Sequence, residues 1–503
     1  MPHILNVLIW FPIFSGCFLL AVAEKNNDSV SRYLGLFSVL ICLGLSAVLL
    51  SQFDNTSSAM QFKETVEWLP SLGISYQLGI DGLSLLMIAL SVFTTLIVLL
   101  ATWNSITQKI SQYVAAFLVM QGLLVGVFSA LDSMVFYVFW EATLIPMYLI
   151  IGVWGSANRI YAAIKFFLYT FLGSVTMLLA FLYLAYKTGS FSIEDFQNVK
   201  HLSMGAQSLI FLAFFLGFAI KIPMWPVHTW LPDAHTEAPA GGSIMLAAVL
   251  LKLGGYGFLR FAMPIVPDAC QYYSGAMIVL SLVAVIYVGL IAIVQTDMKK
   301  LIAYSSISHM GFVTLGCFSI YTIAKQTGHM IDAALVLEGA IVVMVSHAFV
   351  SSGMFAGVGF LYERMHTREI KDFGGIINTM PLFASFMMLF AMGNAGLPGT
   401  SGFVGEFMVI LGSMKSGFWV GFLAATTLII GAVYTLWMYK RVIFGVVTNP
   451  KVNDLRDISG FEVTAFSFLA FMVLAMGVYP EPVLKLMHQS VNHLLTLSSV
   501  TKL

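Results

Sequence analysis

Charged residues are scarce in this chain. Of its 503 residues, 24 are Lys or Arg and 24 are Asp or Glu, so charged side chains make up 10% and the formal net charge is zero. A soluble globular protein carries about 25% charged residues, so a chain of this length would lack the polar surface it needs in water. The even balance also excludes the concentrated basic face on which nucleic-acid binding depends. The composition predicts an integral membrane protein that binds no nucleic acid.

Cysteine is equally rare. The four residues, Cys17, Cys42, Cys270 and Cys317, lie in apolar runs and share no C-x-x-C spacing, so we interpret them as core residues. The chain also lacks a phosphate-binding glycine loop, a nucleophile elbow and a haem or cluster motif. We therefore expect no cofactor and no metal in this chain.

Apolar sequence is abundant, at 59% of all residues. Runs of roughly 20 apolar residues, enough to cross the hydrocarbon core, predict about fourteen transmembrane helices in an all-α polytopic protein. The predicted spans lie near 4–23, 32–52, 82–103, 112–130, 132–153, 160–186, 207–231, 240–263, 272–296, 300–320, 330–361, 379–412, 417–444 and 460–479. Residues 53–81 form the longest loop, for which a short hairpin is one interpretation.

The basic residues of the loops predict an orientation, because cytoplasmic loops carry more Lys and Arg. Of the 24 basic residues, 14 fall on one side, Lys25 and Lys299 among them, and eight fall on the side that holds both termini. The first side is therefore predicted to be cytoplasmic, with both termini outside. The two remaining basic residues, Lys221 and Lys252, fit neither surface.

Glu141 and Glu406 join these two lysines deep within apolar sequence. Glu141 lies nine residues after Asp132, which places it about 13 to 14 Å deep in a helix. A charge near the bilayer centre costs roughly 2.5 to 3.5 kcal/mol or more, which membrane proteins tolerate chiefly for ion pathways, ligands or pairing partners. Static ion pairs between helices are the plainer alternative.

Two of these charges lie beside breaks in the predicted helices. Pro223 and Pro226 follow Lys221, and the run Gly396–Gly402 precedes Glu406, so the seventh and twelfth spans are predicted to break at mid-depth. The breaks are five spans apart. This spacing predicts two inverted five-helix repeats, each with a broken helix facing a polar cavity. The domains are then 1–111 with the outer loop, 112–263 and 272–444 as the two repeats, and 445–503.

Two histidines lie between these charges, in the tenth and eleventh spans. His309 follows three serines at 305, 306 and 308, and His347 lies in Ser346-His347-Ala348. A single buried histidine is more often a hydrogen-bonded core residue. Because histidine titrates near neutral pH, the hydroxyl-rich surroundings of His309 favour a proton relay. A second cluster, which we interpret as hydrated loop or proton-entry groups rather than metal ligands, comprises His228, Asp233, His235 and Glu237.

Several motifs together resemble one known family. They are Gly79–Leu85 (GIDGLSL), Phe139-Trp140-Glu141, the stretch KIPMWPVHTWLPDAH from Lys221 to His235, Lys299–Ser306 (KKLIAYSS) and Leu361–Arg364 (LYER). Over nearly the whole chain the sequence resembles the antiporter-like subunits of proton-pumping NADH:quinone oxidoreductase, respiratory complex I. Two features are similar to those of the M-type branch of this family. One is the glutamate at 406, where sibling subunits carry lysine, and the other is the length of the chain.

The resemblance implies a role for each buried group. Glu141 and Lys221 would form a coupled pair, Lys252 would lead to the middle, His309 and His347 would lie on the central axis, and Glu406 would be the terminal exchange site. It also implies a translocase subunit of a bacterial inner membrane, driven by redox chemistry elsewhere. Flavin, iron–sulfur clusters and quinone would lie in partner subunits. The expected partners are other membrane-arm subunits, with sibling antiporter-like subunits on either side, lipids and the transported protons.

Two alternatives remain at the level of sequence. The first is a subunit of a multi-subunit cation/proton antiporter, which copurification of a flavin and iron–sulfur arm would exclude. The second is a non-conducting structural membrane subunit whose buried charges merely pair. Replacing Lys221 and Lys252 by Met would leave pumping intact in that case.

Overall fold

The computed structural model describes residues 3–22, 28–447 and 449–503. Among these residues, 13 helices are long and apolar enough to cross a membrane. They are Ile4–Ala21, Asp28–Gln52, Gly82–Ala101, Ile110–Ser129, Ser133–Trp154, Arg159–Thr188, Met204–Lys221, Ala240–Ile265, Pro267–Ile293, Met298–Thr327, Met330–Met365, Phe418–Phe444 and Phe461–Val478. We number them spans 1 to 11, 13 and 14. Span 12 consists of two shorter helices, Pro381–Asn394 and Ser401–Ser416.

The predicted all-α membrane fold is therefore confirmed. The two breaks are present, whereas the inverted relation between the two five-helix units, and with it the domain division, stays a prediction. Lys25, one of the loop residues used for orientation, lies outside the described residues. Cys17 is exposed, so the expectation of a core position holds only for Cys42, Cys270 and Cys317.

The spans differ strongly in how much of their surface other helices cover. Span 8 is 100% buried and spans 3 and 10 are 89% buried, whereas spans 2, 13 and 14 are 33% buried. A helix that is apolar all round and fully covered belongs to the centre of a bundle. Spans 3, 8, 10 and 11 form this centre, and three of them carry Lys252, His309 and His347.

The outer loop contains the hairpin that the sequence suggested. Strand β1, Gln61–Leu69, pairs antiparallel with β2, Ile74–Ile80. The turn ends at Gly73, whose φ of 69° lies in the left-handed region that favours glycine. The N–H of Leu131 donates to the carbonyl of Gln77 at 2.9 Å, which attaches the hairpin to the beginning of span 5.

A C-terminal helix was not predicted. Residues Glu481–Ser499 form an amphipathic helix after span 14, with Met487, Val491 and Leu495 buried on one face. The i, i+4 spacing of these residues is a signal that the search for long apolar runs passed over. Beyond the helix, the Nζ of Lys502 donates to the carbonyl of Gln197 at 2.7 Å, so the C-terminal segment is attached to the loop between spans 6 and 7.

Candidate functional site

The first break lies directly after Lys221. The first half of span 7 ends at this residue and a second helix, Trp230–Glu237, follows after a turn that contains Pro223 and Pro226. Proline offers no backbone N–H and cannot continue the helix, so carbonyls at the end of the first half need other donors. The indole N–H of Trp230 donates to the carbonyl of Ile220 at 2.9 Å and joins the two halves.

Lys221 is buried among apolar and aromatic side chains. Its side chain is 1% exposed, and its Nζ has no hydrogen-bond partner among the described residues. The ammonium lies 5.4 Å from the ring centroid of Trp140 and 5.7 Å from that of Phe166. Contacts of this kind contribute about 2 kcal/mol when the cation is desolvated, which offsets only part of the cost of burial.

Glu141, on span 5, is the carboxylate whose charge acts on Lys221. Tyr137 and Ser174 are its side-chain hydrogen-bond partners, while its Oε1 atom has no partner within the described part of the chain. The lysine and the glutamate are thus coupled through their charges, and within the described residues Lys221 Nζ makes no hydrogen bond to the carboxylate of Glu141. An interaction of this kind responds to small movements of either helix.

Lys252 lies at the centre of the bundle, fully buried. Its Nζ donates to the carbonyl of Ala247 at 2.5 Å and lies 2.7 Å from Nδ1 of His347. Ala247 belongs to a π-helical turn, Leu246–Leu250, a local widening that often occurs at functional sites. Lys252 and His347, predicted separately as site residues, therefore form one hydrogen-bonded pair.

The second pair consists of His309 and Glu406. Nδ1 of His309 lies 2.8 Å from Oε1 of Glu406, and the rings of His309 and His347 are 5.8 Å apart between centroids. A cavity of about 10 Å³ lies among His309, His347, Asn394 and Glu406, which is close to the space that one water molecule needs. Nε2 of each histidine lacks a hydrogen-bond partner in the described structure.

The second break supplies the backbone around Glu406. The first half of span 12 ends at Asn394, and Gly396 and Gly399 follow with φ values of 74° and 90°, which glycine adopts without strain. A Cβ on Gly402 would lie 2.0 Å from the carbonyl oxygen of Gly393, so the second half can begin against the first only with glycine at this position. The close approach fixes the start of the helix that carries Glu406.

The structure corrects the interpretation of the cluster after the first break. Asp233, His235 and Glu237 lie on a half-helix rather than in a hydrated loop, and His228 lies in the turn before it. All four side chains are wholly or partly buried. The carboxylate of Asp233 pairs at 2.6 Å with Lys165 of span 6. The ring of His235 is stacked on Phe355 at 4.4 Å between centroids.

Two further acids have roles that sequence reasoning missed. Asp81 pairs at 2.7 Å with Arg260, which is buried in span 8. Asp132 is 2% exposed and accepts the N–H groups of Met134 and Val135 as the cap of span 5. Burial raises the pKa of Asp132, although these backbone donors act in the opposite direction.

Known proteins are similar to this chain over most of its length. Residues 130–431 match the family model described as NADH:quinone oxidoreductase/Mrp antiporter, transmembrane. The chain is 44% identical over 509 aligned positions to NADH-quinone oxidoreductase subunit M of Rhodobacter capsulatus, covering 98% of this chain and 96% of that protein.

Solved structures give the same result. A chain of respiratory complex I from Thermus thermophilus is 29% identical, with a TM-score of 0.88 and coverage of 99% of this chain and 100% of that one. A chain of the Mrp complex from a Dietzia species is 20% identical, with a TM-score of 0.81 and coverage of 97% and 52%, and shows the fold alone. The chain belongs to the NADH:quinone oxidoreductase/Mrp antiporter family, within its subunit M branch.

Proposed function

We propose that this chain is a proton-translocating membrane-arm subunit of NADH:quinone oxidoreductase. The observation that carries the proposal is the series of buried ionisable groups at the middle of the bundle. Glu141 acts on Lys221, Lys252 is bonded to His347, and His309 is bonded to Glu406. A structural protein would gain little from such groups, because apolar residues of similar volume fill a buried site at lower cost.

Protons would pass between these groups rather than bind tightly at any one of them. Desolvation opposes the charge on a buried lysine, and a nearby carboxylate favours it. A change in the position or charge of Glu141 therefore alters how readily Lys221 holds its proton. Redox chemistry in other subunits would drive this change, with flavin, iron–sulfur clusters and quinone bound outside this chain.

The central pairs would connect the two halves of the chain. Lys252 and His347 share a hydrogen bond, and His309 lies 5.8 Å away from His347 between ring centroids. One water in the cavity beside Glu406 would complete the connection between the two pairs. Glu406, at the second break, would exchange protons with the outer side.

The relatives support a setting in complex I, and other complex I subunits are the partners of the chain. We further propose that sibling antiporter-like subunits contact it on either side, that lipids cover its exposed apolar faces, and that it lies in a bacterial inner membrane with both termini outside. The similarity to the Mrp chain is limited to the fold at 20% identity. It does not favour cation/proton exchange without a redox partner.

The test is NADH-driven proton pumping in sealed vesicles by a complex that carries Glu141→Gln. This change keeps the shape of the side chain and removes the charge that acts on Lys221. We expect normal assembly and pumping reduced at least about a hundredfold, the lower end of the range for loss of an acid–base group. Glu67→Gln, at an exposed position of the outer hairpin, is the matched control and should pump normally.

Normal pumping by Glu141→Gln would refute the proposed role of the pair. If Lys221→Met and Lys252→Met also pumped normally, the structural alternative would hold instead. A complex isolated without a flavin and iron–sulfur arm, and pumping only in exchange for sodium, would identify the antiporter alternative.

A further inference from the structure

A large polar cavity lies at the side opposite the C-terminal helix. Its volume is about 520 Å³. Its walls come from the connections between spans 3 and 4, spans 5 and 6, spans 7 and 8, and spans 11 and 12, and from the start of span 10. Successive connections between spans alternate between the two sides of a membrane. The connections that form these walls are every second one, so they all lie on the same side. The basic residues predict that this side is cytoplasmic.

Glu363 stands out among the residues that line this cavity. It lies in the last turn of span 11 and is partly buried. Its partners include the Ser105 side chain, while Oε1 is buried with no hydrogen-bond partner in the described part of the chain. The negative end of the helix dipole also disfavours a carboxylate in this turn.

The neighbouring arginine is close to Glu363, but its guanidinium is bonded to a different carboxylate. The guanidinium of Arg364 binds both carboxylate oxygens of Glu462, at 2.9 and 2.8 Å, and donates to the carbonyls of Phe360 and Arg456. Glu462 itself adds a second negative charge near Glu363. Within the described part of the chain Glu363 forms no ion pair and caps no helix, and Arg364 acts on it only through its nearby charge, so glutamine would serve any structural role here equally well.

The cavity leads from Glu363 toward the buried site. The Nζ of Lys299, in the cavity wall, donates to the carbonyl of Ala238 at 2.6 Å. Ala238 directly follows the half-helix that carries His235. His235 is stacked on Phe355, which lies on the same span as His347, the partner of Lys252. Packed elements therefore connect Lys299 through His235 to the pair of Lys252 and His347.

On the basis of the proposed function, we propose that Glu363 is the proton-collecting residue of this cavity. A hydronium ion that reaches the cavity transfers its proton to a carboxylate oxygen of Glu363, which leaves water and a neutral carboxyl group. The carboxyl group then returns the proton to cavity water beside Lys299. The substrate is the proton alone, and no other reactant is needed.

A proton-collecting group matters when hydronium is scarce. The diffusional limit for two proteins is about 10⁹ to 10¹⁰ M⁻¹ s⁻¹, and at its upper end, which suits a small ion, hydronium at pH 8 reaches a site about 100 times per second. Enzymes turn over about 1 to 10³ times per second. Above pH 8 the supply of protons therefore limits a fast pump, whereas at pH 6 the supply is about a hundredfold larger.

The pH profile of the complex with Glu363→Gln tests the proposal. NADH-driven proton uptake is measured in sealed vesicles between pH 6 and 9 with a membrane-impermeant pH dye. We expect the variant to match the unmodified complex within about a factor of two at pH 6, and to be at least about threefold slower at pH 8.5, where hydronium supply limits. Glu363→Asp, which keeps a carboxyl group, should restore most of the rate.

The charged groups around Glu363 define the controls. Arg364, Glu462 and Tyr113 lie near it, and the cavity wall adds Glu237, Lys299, Tyr362, His366 and Arg368. Glu462→Gln removes the neighbouring, ion-paired carboxylate, which does not line the cavity. It should leave the shape of the pH profile unchanged, even if it lowers the amount of assembled complex.

Three outcomes separate the hypotheses. Equal rates for Glu363→Gln and the unmodified complex across the whole pH range would overturn the role of Glu363 while leaving the proposed function intact. A uniform loss at all pH values, shared by Glu462→Gln, would also overturn it, because that pattern indicates a structural role. Absence of pumping by the unmodified complex would refute the proposed function itself.

Discussion

The ion pair between Asp81 and Arg260 makes a quantitative prediction about stability. Asp81 caps span 3 by accepting the N–H of Ser84 at 2.9 Å, and its Oδ1 lies 2.7 Å from Nη2 of Arg260. The guanidinium also donates to Ser84 Oγ and Tyr256 Oη, each at 3.2 Å. Removal of one partner of a buried pair costs about 3 to 5 kcal/mol, because the other charge stays buried alone.

Asp81→Asn isolates this effect, since asparagine caps a helix about as well as aspartate. We expect Asp81→Asn and Arg260→Met each to lower the free energy of unfolding by about 3 to 5 kcal/mol. The double variant should lose at least about 2 kcal/mol less than the sum of the two, because no unpaired charge remains.

Thiol modification offers a readout specific to this chain. Cys42, Cys270 and Cys317 are buried and Cys17 is exposed, so all variants carry Cys17→Ser. Membranes are heated with a maleimide mass tag that reacts with cysteines as the chain unfolds. The gel shift of this chain then gives the temperature at which half of its molecules are modified. The single variants should shift this temperature downward and the double variant should recover part of the loss. Single variants as stable as the parent, or a fully additive double variant, would refute the reasoning.

The same pair has a pH dependence. Burial alone would raise the pKa of Asp81, but Arg260 and the N–H of Ser84 outweigh burial and hold this pKa below its ordinary value. A group whose pKa is lowered on folding stabilises the protein above its unfolded pKa, near 3.9 for aspartate. The contribution is lost only as pH falls through the lower, folded value. The temperature of half-modification should therefore stay constant from pH 8 to about 5 for this pair.

Two further predictions concern the second break. Glu406→Gln removes the carboxylate bonded to His309 and should slow NADH-driven pumping at least about tenfold with normal assembly, whereas unchanged pumping would exclude Glu406 from the pathway. Gly402→Ala places a Cβ about 2.0 Å from the Gly393 carbonyl oxygen. It should sharply reduce the assembled complex on native gels, while Gly44→Ala, where nothing lies within 4 Å, should not.

Sequence reasoning predicted the parts of this protein that the bilayer constrains most strongly. Long apolar runs could be identified because the hydrocarbon core requires them. The two breaks and the four buried charges could be identified because each carries a large energetic cost in hydrocarbon. The half-helix Trp230–Glu237 was mistaken for a loop, since four of its eight residues are polar and it is far too short to cross a membrane. Its burial depends on neighbouring spans, which no local pattern describes.

The pairing of the buried groups could not be predicted either. Lys252 and His347 are 95 residues apart, and His309 and Glu406 come from spans 10 and 12. Which side chains meet depends on helix rotation and on close contacts at positions such as Gly254, where a Cβ would lie 2.6 Å from the carbonyl oxygen of Phe218. The sequence shows which ionisable groups are costly to bury in a membrane, whereas the packing of the helices determines which of these groups contact each other.

The observed pairing changes how the central charge is understood. With 2.7 Å between Nζ of Lys252 and Nδ1 of His347, two positive charges would repel by about 6 kcal/mol at an effective dielectric constant near 20. The pair therefore holds at most one positive charge, which either nitrogen can carry. A charge on His309, with 5.8 Å between the two histidine rings, would interact with it by about 3 kcal/mol, or about two powers of ten in proton occupancy. Because His309 is bonded to Glu406, a proton gained or lost at the second break is felt directly at the centre of the bundle.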